Sequence, residues 1–376
     1  MTIMSQSEHL DTSGSTSQSQ SQSPSRRPLD KPRSTPEPLS IVFMGSPDFA
    51  IPSLDAIHAS RHTIQAVVSG PDKRRRRGAP PEPTIVKQRA IELGLPVLEI
   101  DDPKSDHAYE QLAPIHADLY VVVAFKILPP RLLALPAIGS VNLHASLLPK
   151  YRGAAPIHRA IIEGETETGC TIFFLDERVD TGGIFATCKE PIGANETTGD
   201  LYDRLKVAGA NLLVDTLDAI ADGTAQPVRQ DDRLATSAPK LFRENTKIDF
   251  GQPAQDVHNL VRGLQPFPVA WCMYGDQKMN IHRTRLLEEG QAHARDPIRH
   301  EGAGDARGTT TTGEDNPSTR TKEPVIETGQ LVVENGRLLV GCKDRALEIL
   351  RLQLPGTKTM TGQEFINGYE TGVRLG

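Results

Sequence analysis

The sequence predicts an α/β domain with a parallel-rich sheet, followed by a small β-barrel of the OB type. In the first half, apolar runs of strand length alternate with helical segments and show no polar alternation, which is typical of strands covered on both faces. In the second half, short strands follow one another closely and are joined by Asn-Gly and Gly-Asp turns. With 376 residues, the chain is long enough for two such domains.

The first predicted strand begins at Leu39, where the run LSIVFM meets Gly45-Ser46-Pro47. Ser46 as an N-cap and Pro47 as the first helical residue predict a helix directly after this strand. The alternation then continues to a long helix over about 198–220. The other predicted strands are 64–68, 97–100, 118–125, 141–145 and 171–174, and the other predicted helices are 83–93 and 155–163.

The predicted barrel follows a helix over 254–264. Its strands are predicted at 270–274, 279–287, 330–333, 337–342 and 346–354. Oligonucleotide binding is a common use of such barrels, so this half is a candidate for RNA binding.

Two segments have almost no large apolar side chains and are predicted to be disordered: the N-terminal tail 1–38 and an insertion at 290–322. The predicted domains are therefore a catalytic domain over 39–222 and a barrel over 248–376, with a linker over 223–247. The tail lacks the apolar stretch of a secretory signal, and its acidic residues disfavour an organellar transit peptide. We therefore expect a cytoplasmic protein.

Composition excludes several classes of protein. No apolar run approaches the roughly 20 residues that cross a bilayer, so we expect no membrane association. A net charge of −6 argues against a protein that coats nucleic acid with its whole surface, although a local basic patch can still bind RNA. The four cysteines form no C-x-x-C pair and have no zinc-type histidine spacing, which predicts reduced thiols and no metal.

Three polar residues are candidates for catalysis. Asn142 and His144 lie two residues apart near the end of a predicted strand, so their side chains share a face where open α/β sheets bind ligands. Asp180 precedes Thr-Gly-Gly in a predicted loop. An amide donor, an imidazole and a carboxylate suit a reaction through a tetrahedral oxyanion. Taken singly, they are more often a turn former, a surface histidine and a loop former.

The segment from Val141 to Gly183 resembles the core motif of the 10-formyltetrahydrofolate-dependent formyltransferases. It contains N-x-H, then SLLP, then a basic-aromatic-Arg-Gly stretch and a distant Asp-x-Gly. The resemblance implies a Rossmann-like formyltransferase domain, 10-formyltetrahydrofolate as co-substrate and no metal. It also assigns the catalytic triad to Asn142, His144 and Asp180, and a folate-pocket lining to four consecutive residues, Ser146, Leu147, Leu148 and Pro149.

Further segments are similar to the branch of this family that formylates initiator methionyl-tRNA for translation initiation. These are IVFMGSPDFAIPSL (41–54), LATSAPK (234–240), IDF (248–250), VRGLQPFPVAW (261–271) and LPGTKTMTGQEFINGY (354–369). The resemblance therefore implies initiator methionyl-tRNA as the acceptor. We expect the protein to act as a monomer.

A basic loop departs from the family pattern. Where the family has a PDRPAGRGKK-like sequence, this chain reads PDKRRRRGAPPEP. A run of charges is often a solvated face or a localisation signal. In this context we predict contacts with tRNA from the run and from one residue near the triad, that is, from Lys73, Arg74, Arg75, Arg76, Arg77 and Arg152.

Other functions stay open at this point. The same formyl chemistry serves other acceptors, such as phosphoribosylglycinamide or an amino sugar, although the predicted barrel and the IDF and LPGTKTM segments argue against them. A non-catalytic RNA-binding protein on the same fold is a second possibility. An oxidoreductase is disfavoured because G-x-G-x-x-G is missing after Gly45.

Overall fold

The computed structural model describes residues 37–74, 78, 80–287 and 326–376. In its N-terminal half, strands and helices alternate along the chain. In order, they are β1 (Ser40–Gly45), α1 (Ile51–Ala59), β2 (Thr63–Ser69), α2 (Ile85–Glu92), β3 (Val97–Glu99), α3 (Asp106–Leu112), β4 (Leu119–Val123), α4 (Pro130–Leu133), β5 (Gly139–His144), β6 (Arg152–Gly153), α5 (Pro156–Ile162), β7 (Glu167–Phe174), β8 (Ile184–Pro191), α6 (Thr198–Ala221) and β9 (Ser237–Ala238).

Seven of these strands form one sheet in the order β3-β2-β1-β4-β5-β7-β8. The first five strands in this order run parallel to one another. β7 is antiparallel to β5, and β8 is antiparallel to β7. The predicted parallel-rich α/β fold is therefore confirmed. Strand β8 and helices α3 and α4 are additions that the sequence reading did not include.

The apolar run of β1 supplies both faces of this sheet. Ile41 and Phe43 belong to one buried cluster, and Val42 and Met44 belong to another. Alternate side chains of a strand point to opposite faces, so a strand without polar alternation is covered on both sides.

The start of the first helix differs from the prediction. Ser46 does not cap it, because a 3-10 turn at Asp48–Ala50 comes first and α1 begins at Ile51. The Ser46 hydroxyl accepts a hydrogen bond from the Gly70 backbone instead, at 3.3 Å. The turn brings Ala50 back over the strand end, where a side chain at Gly45 would lie 2.8 Å from the Ala50 Cβ.

The C-terminal half forms an antiparallel sheet with two helices. Its elements are α7 (Ala254–Gly263), β10 (Ala270–Tyr274), β11 (Gln277–Leu286), β12 (Leu331–Glu334), β13 (Arg337–Gly341), β14 (Ala346–Gln353), β15 (Met360–Thr361) and α8 (Gly362–Gly368). The strand order is β10-β11-β14-β13-β12, with β15 beside β14. A separate apolar cluster fills this half.

The last residues of the chain join the two edges of this sheet. Leu375 pairs with Tyr274 at the end of β10, and Arg374 pairs with Gln330 beside β12. The carbonyl of Gly376 accepts from Met273, and the carbonyl of Val373 accepts from Leu331. The predicted barrel-like architecture is therefore confirmed, with an edge-closing C-terminal segment that the pattern of strands did not reveal.

Two predicted disordered segments fall largely outside the described residues: the tail 1–38, of which 37 and 38 are described, and the insertion 290–322. The domain limits at 222 and 248 stay predictions. Within the described ranges, no helix combines the length and apolar character needed to cross a membrane.

Candidate active site

A cavity of about 610 Å³ opens at the carboxyl ends of β4 and β5. Asn142, His144 and Asp180 all line it. The first two come from β5, and Asp180 comes from the loop between β7 and β8. The structure therefore brings together the three polar residues singled out from the sequence, although Asp180 follows the other two by 36 to 38 positions.

The His144 ring is fixed through one of its nitrogens. Its Nε2 lies 2.9 Å from the carbonyl oxygen of Tyr151, and the side chain is 8% exposed. A carbonyl oxygen only accepts, so Nε2 must carry hydrogen. The nitrogen free to gain or lose a proton is therefore Nδ1, which lies 3.8 Å from Asp180 Oδ2. Phe173 contacts the ring edge-on, at a centroid distance of 6.4 Å.

Asp180 is held from both its side chain and its backbone. Its Oδ2 accepts a hydrogen bond from the Gly153 backbone at 2.8 Å, and its carbonyl accepts from Gln230 Nε2 at 3.0 Å. Gln230, which is 6% exposed, also donates to the Gly182 carbonyl at 2.8 Å. The carboxylate therefore faces His144 in one orientation.

Asn142 contributes an uncommitted amide to the cavity. It lies two residues before His144 on β5, on the same face of the strand. Among the residues that the structure describes, its side chain has no hydrogen-bond partner. An amide in this position can donate to a ligand oxygen.

Backbone strain concentrates around this site. Ala124, Tyr151 and Asp180 have φ values of 48°, 61° and 56°, a region of backbone conformation that residues other than glycine rarely adopt. Ala124 lines the cavity, and Tyr151 supplies the carbonyl that fixes His144. Residues held in such conformations cluster at functional sites, because only a well-determined surrounding structure maintains them.

The predicted folate segment lies outside the cavity wall. None of Ser146, Leu147, Leu148 and Pro149 lines the cavity. Ser146 is fully buried and its carbonyl accepts from Thr171 Oγ1 at 2.6 Å, while Thr171 Oγ1 accepts from the Leu148 backbone at 3.1 Å. These contacts tie the segment, which begins two residues after His144, to Thr171 on β7. The segment therefore supports the wall from behind, and its contact with folate stays a prediction.

The apolar wall of the cavity comes instead from the segment after β4. Ala124, Phe125, Ile127 and Leu128 line it, together with Leu175 beyond β7. The sequence signal for this wall was present, because the continuous run YVVVAF ends here at the same sheet edge as Asn142 and His144.

The predicted linker also belongs to the site. β9 pairs with β6, which places Ala238 opposite Gly153. The Tyr151 backbone donates to Thr236 Oγ1 at 2.9 Å, which helps to hold the strained residue whose carbonyl fixes His144. Sequence reasoning missed this role, since nothing in the polar stretch indicates that it packs against residues about 80 positions earlier.

The predicted basic contacts are only partly described. Lys73 pairs through its backbone with Glu82, Arg74 follows it, and Arg75, Arg76 and Arg77 lie outside the described residues. Arg152 is half-buried, and its guanidinium binds Asp232 at 2.7 Å and Gln230 at 2.7 Å. The structure thus gives Arg152 a role in joining the linker to the site, and its contact with tRNA stays a prediction.

Within the described part of the chain, no group of three or more histidine, cysteine, aspartate or glutamate side chains is arranged to hold a metal ion.

The chain matches two family models. The model described as formyl transferase matches residues 39–217, and the formyl transferase C-terminal domain matches residues 240–370. Among solved structures, an N-formyltransferase from Helicobacter canadensis, in complex with folinic acid and dTDP-3-aminofucose, has a TM-score of 0.57 and 17% identity over 83% of this chain and 98% of that one. HypX from Aquifex aeolicus, in complex with tetrahydrofolic acid, has a TM-score of 0.55 and 14% identity over 89% of this chain and 48% of that one. At such identities, these likenesses show the fold.

The curated relatives are closer in sequence. A methionyl-tRNA formyltransferase from Chlorobium phaeovibrioides is 41% identical over 90% of this chain and 98% of its own length. One from Porphyromonas gingivalis is 37% identical over 89% and 96% of the two chains, and one from Moorella thermoacetica is 47% identical over 66% and 81%. Identity of this level over nearly the whole of both chains, together with the two matching models, means that the chain belongs to the methionyl-tRNA formyltransferase family.

Proposed function

We propose that this protein transfers the formyl group of 10-formyltetrahydrofolate to the free amino group of initiator methionyl-tRNA. The observation that carries the proposal is the convergence of Asn142, His144 and Asp180 in one cavity at the carboxyl edge of the sheet. The family relationship supplies the acceptor. The test is formylation of charged initiator tRNA, compared with charged elongator tRNA, by the purified protein. Equal rates on the two tRNAs would contradict initiator selectivity, and no formylation of either would contradict the activity.

The geometry suggests a division of roles. The amine attacks the formyl carbon as the free base, and its unperturbed pKa of roughly 8 leaves a useful neutral fraction at physiological pH. The Asn142 amide donates to the developing oxyanion. Protonated His144 donates to the same oxygen from Nδ1, since Nε2 is already committed to Tyr151. Removal of one such donor typically costs about 100- to 1000-fold in rate.

Asp180 acts through charge and through proton movement. Its carboxylate is held 3.8 Å from His144 Nδ1 by the backbone of Gly153. At this distance it stabilises the imidazolium electrostatically, and one bridging water would complete a path for the amine proton. Because the amine attacks the formyl carbon directly, no group of the protein needs to be formylated during the reaction.

The cavity fits the flat, partly apolar body of a folate. Its volume lies within the range usual for small-ligand sites, and its wall is largely aliphatic and aromatic. Ile127 and Val179 line it while being 72% and 53% exposed. Exposed apolar side chains beside a polar triad suit a ligand that covers them and presents its reactive carbon to Asn142 and His144. We therefore propose that this cavity receives the folate, with the segment 146–149 behind it.

A cluster of cations around Trp271 supports tRNA as the partner. Arg243, Lys247 and Lys278 lie over the Trp271 ring at 5.3, 5.9 and 5.2 Å from its centroid. We call these four residues the Trp271 cluster. Within the described ranges, none of its three cations forms an ion pair with a carboxylate. Cations interleaved with an aromatic ring suit phosphates and stacked bases.

A crevice between the two halves supports the same partner. It has a volume of about 410 Å³ and is lined by Asn195 and Thr197 from the first half and by four arginines and two histidines from the second. These are Arg262, Arg283, Arg285, Arg351, His258 and His282. Burial lowers the pKa of both histidines, so they are neutral near pH 7, and Arg285 is paired with Glu348. The positive charge that favours a polyanion here comes from Arg262, Arg283 and Arg351.

We retain the basic run from Lys73 to Arg77 as a further contact with the acceptor stem. Adjacent cations repel one another unless phosphates neutralise them. We also retain the monomeric state and the cytoplasmic location as predictions.

A further inference from the structure

Two cysteines face each other across the edge of the first sheet. Cys170 on β7 and Cys188 on β8 are direct partners in the antiparallel ladder, and both thiols are free. Side chains of direct partners lie on the same face, with Cβ atoms about 4.5–5.5 Å apart. The Cα separations of antiparallel partners, about 4.5 or 5.5 Å, both lie in the range that a disulfide spans, and the Cβ atoms must approach to about 3.5–4.5 Å when the bond closes.

The two thiols differ in access. Cys170 is fully buried under α6, where its Sγ donates to the Leu205 carbonyl at 3.4 Å. Cys188 is half-buried on β8, which is the last strand of the sheet. A small oxidant in solution therefore reaches Cys188 first, and Cys170 is inaccessible to it.

The two thiols also differ in acidity. The neighbouring Cys170 thiol lowers the pKa of Cys188 to about 7, although burial acts against this. The pKa of Cys170 is raised by the neighbouring Cys188 and by its own burial. Cys188 is therefore more readily ionised near neutral pH than an ordinary cysteine, and the thiolate is the nucleophilic form.

We propose that Cys188 and Cys170 form a peroxide-sensitive dithiol that closes into a reversible intramolecular disulfide. The Cys188 thiolate attacks one oxygen of hydrogen peroxide, the O–O bond breaks, and hydroxide leaves and takes up a proton as water. Cys188 is thereby oxidised to the sulfenic acid. Cys170 Sγ then attacks the Cys188 sulfur and the S–O bond breaks. The hydroxide that leaves takes the Cys170 proton as a second water.

Peptide mapping of the full chain tests this directly. Trypsin cuts after Arg159, Arg178 and Lys189, so the two cysteines fall in separate peptides, 160–178 and 179–189. The reduced protein is treated with a small excess of hydrogen peroxide, alkylated under denaturing conditions and digested without reductant. We expect one linked pair of peptides, two hydrogens lighter than their sum, that separates with dithiothreitol. Cys170 that stays fully alkylatable, or Cys188 linked to Cys188 of a second copy, would overturn the proposal.

Two single variants separate the steps. In Cys170→Ser, the sulfenic acid has no partner, so Cys188 should react with dimedone after peroxide treatment. In Cys188→Ser, Cys170 should stay unoxidised at the same dose. The double variant Cys272→Ser/Cys342→Ser is the matched control and should still form the link, because both of these thiols are buried in the second core and burial raises the pKa of each to about 12.

The pH dependence gives a readout that does not depend on any variant. The initial rate of disulfide formation in the wild-type chain should rise with pH and reach half its maximum near pH 7, in line with the thiolate fraction of Cys188. A rate that is still rising steeply above about pH 8.5, the pKa of an ordinary thiol, would overturn the proposed activation by Cys170.

Discussion

The two halves of this molecule hold their functional groups in different ways. In the first half, His144 and Asp180 are each fixed by a backbone group, from Tyr151 and Gly153, and are nearly buried. Around Trp271 in the second half, the charges of the Trp271 cluster, from Lys278 and from Arg243 and Lys247 of the linker, sit on long side chains that rest on the ring. The difference follows from the tasks proposed for each half. Stabilising a transition state requires groups placed within fractions of an ångström, whereas holding a polyanion requires charge that can adjust.

The largest effect should come from the fixed groups. We expect His144→Ala and Asn142→Ala each to lower the formylation rate by about 100- to 1000-fold, because each removes a donor to the oxyanion. Folate binding should persist, since the apolar wall is untouched. Steady-state kinetics, with circular dichroism to monitor folding, measures this.

The matched control is His158→Ala. His158 lines the same cavity, but its Nε2 is bonded to the Phe267 carbonyl at 3.2 Å. We expect this variant to lower the rate by less than about tenfold, because it removes no oxyanion donor. Equal decreases in the His144 and His158 variants would contradict the assignment of His144.

A second prediction concerns Gly153, where the site and the linker meet. Gly153 has φ of +126°, and a Cβ there would lie 2.6 Å from the Ala238 carbonyl oxygen. Gly153→Ala should therefore displace the backbone that holds Asp180, and should cost about 2 kcal/mol or more of stability together with much of the activity. Gly356→Ala, at φ of +74° with no neighbour within 4 Å, should cost about 1 kcal/mol and no activity.

Chemical denaturation measures the loss of stability in the two glycine variants, and formylation assays measure their loss of activity. Similar decreases in stability would show that the φ value alone matters. A stable and fully active Gly153→Ala protein would contradict the predicted displacement of the Gly153 backbone, since alanine keeps the N–H that donates to Asp180.

A third, smaller effect should come from the adjustable charges. We expect the triple variant Arg243→Ala/Lys247→Ala/Lys278→Ala to raise the Michaelis constant for tRNA about tenfold with kcat little changed, because it removes phosphate-binding cations. The salt dependence of tRNA affinity should flatten by roughly 0.7–0.9 log-log units for each phosphate that the variant no longer binds. Titration of tRNA binding from low to moderate ionic strength measures both quantities.

The control for the Trp271 cluster carries the same change of charge elsewhere. Arg337→Ala/Lys343→Ala/Lys358→Ala also removes three cations from the second half. An equal decrease in tRNA affinity in the two triple variants would mean that the Trp271 cluster acts only through the overall charge of the protein and does not bind tRNA specifically. The same titration on Arg74→Ala/Arg75→Ala/Arg76→Ala/Arg77→Ala tests the basic run.

The smallest effect concerns the boundary between the halves. His258 on α7 is 2% exposed, its Nδ1 lies 2.9 Å from Thr284 Oγ1, and burial lowers its pKa to about 4. A histidine with a lowered pKa stabilises the fold fully above its unfolded pKa of about 6.5, and this contribution disappears as pH falls towards 4. Below about pH 6.5, the stability of the wild type should fall by at most about 1.4 kcal/mol per pH unit through this group.

In His258→Gln that part of the pH dependence should disappear, although the variant starts from a lower stability. Urea unfolding at several pH values between about 4 and about 8 measures the two slopes. His58→Gln, an exposed position on α1, is the control and should keep the wild-type slope. Parallel curves for wild type and His258→Gln would contradict the prediction.

Most of the fold was predictable because its strands carry strong apolar signals. β1 and β4 are buried on both faces, so their composition alone identifies them. β8 was missed because this edge strand has no fully buried residue and therefore lacks the continuous apolar run of the inner strands. The antiparallel direction of β7 was also beyond reach, since strand direction depends on the connection and not on composition.

The triad was predictable from residue chemistry and from its likeness to a family, but its surroundings were not. Gln230 and Thr236 hold the site through hydrogen bonds with residues 50 and 85 positions away. No local pattern marks Gln230, and the family resemblance of 234–240 gives Thr236 no role in the site. The wall at 124–128 follows a predicted strand but was not predicted to line the site, while the folate contact predicted for the segment after β5 stays a prediction. Both segments leave the same sheet edge, and only the fold shows that the second one turns inward to Thr171.

The pairing of β6 with β9 determines where this chain can be divided into independent modules. A fragment that stops at residue 222 would lack Gln230, Thr236 and Ala238, and with them the groups that fix the Asp180 loop and the backbone at Tyr151. The smallest autonomous catalytic fragment must therefore extend through Ala238. The same holds for gene fusions and domain exchanges. The junction to a transplanted barrel must lie after β9, so that the catalytic domain keeps Gln230, Thr236 and Ala238.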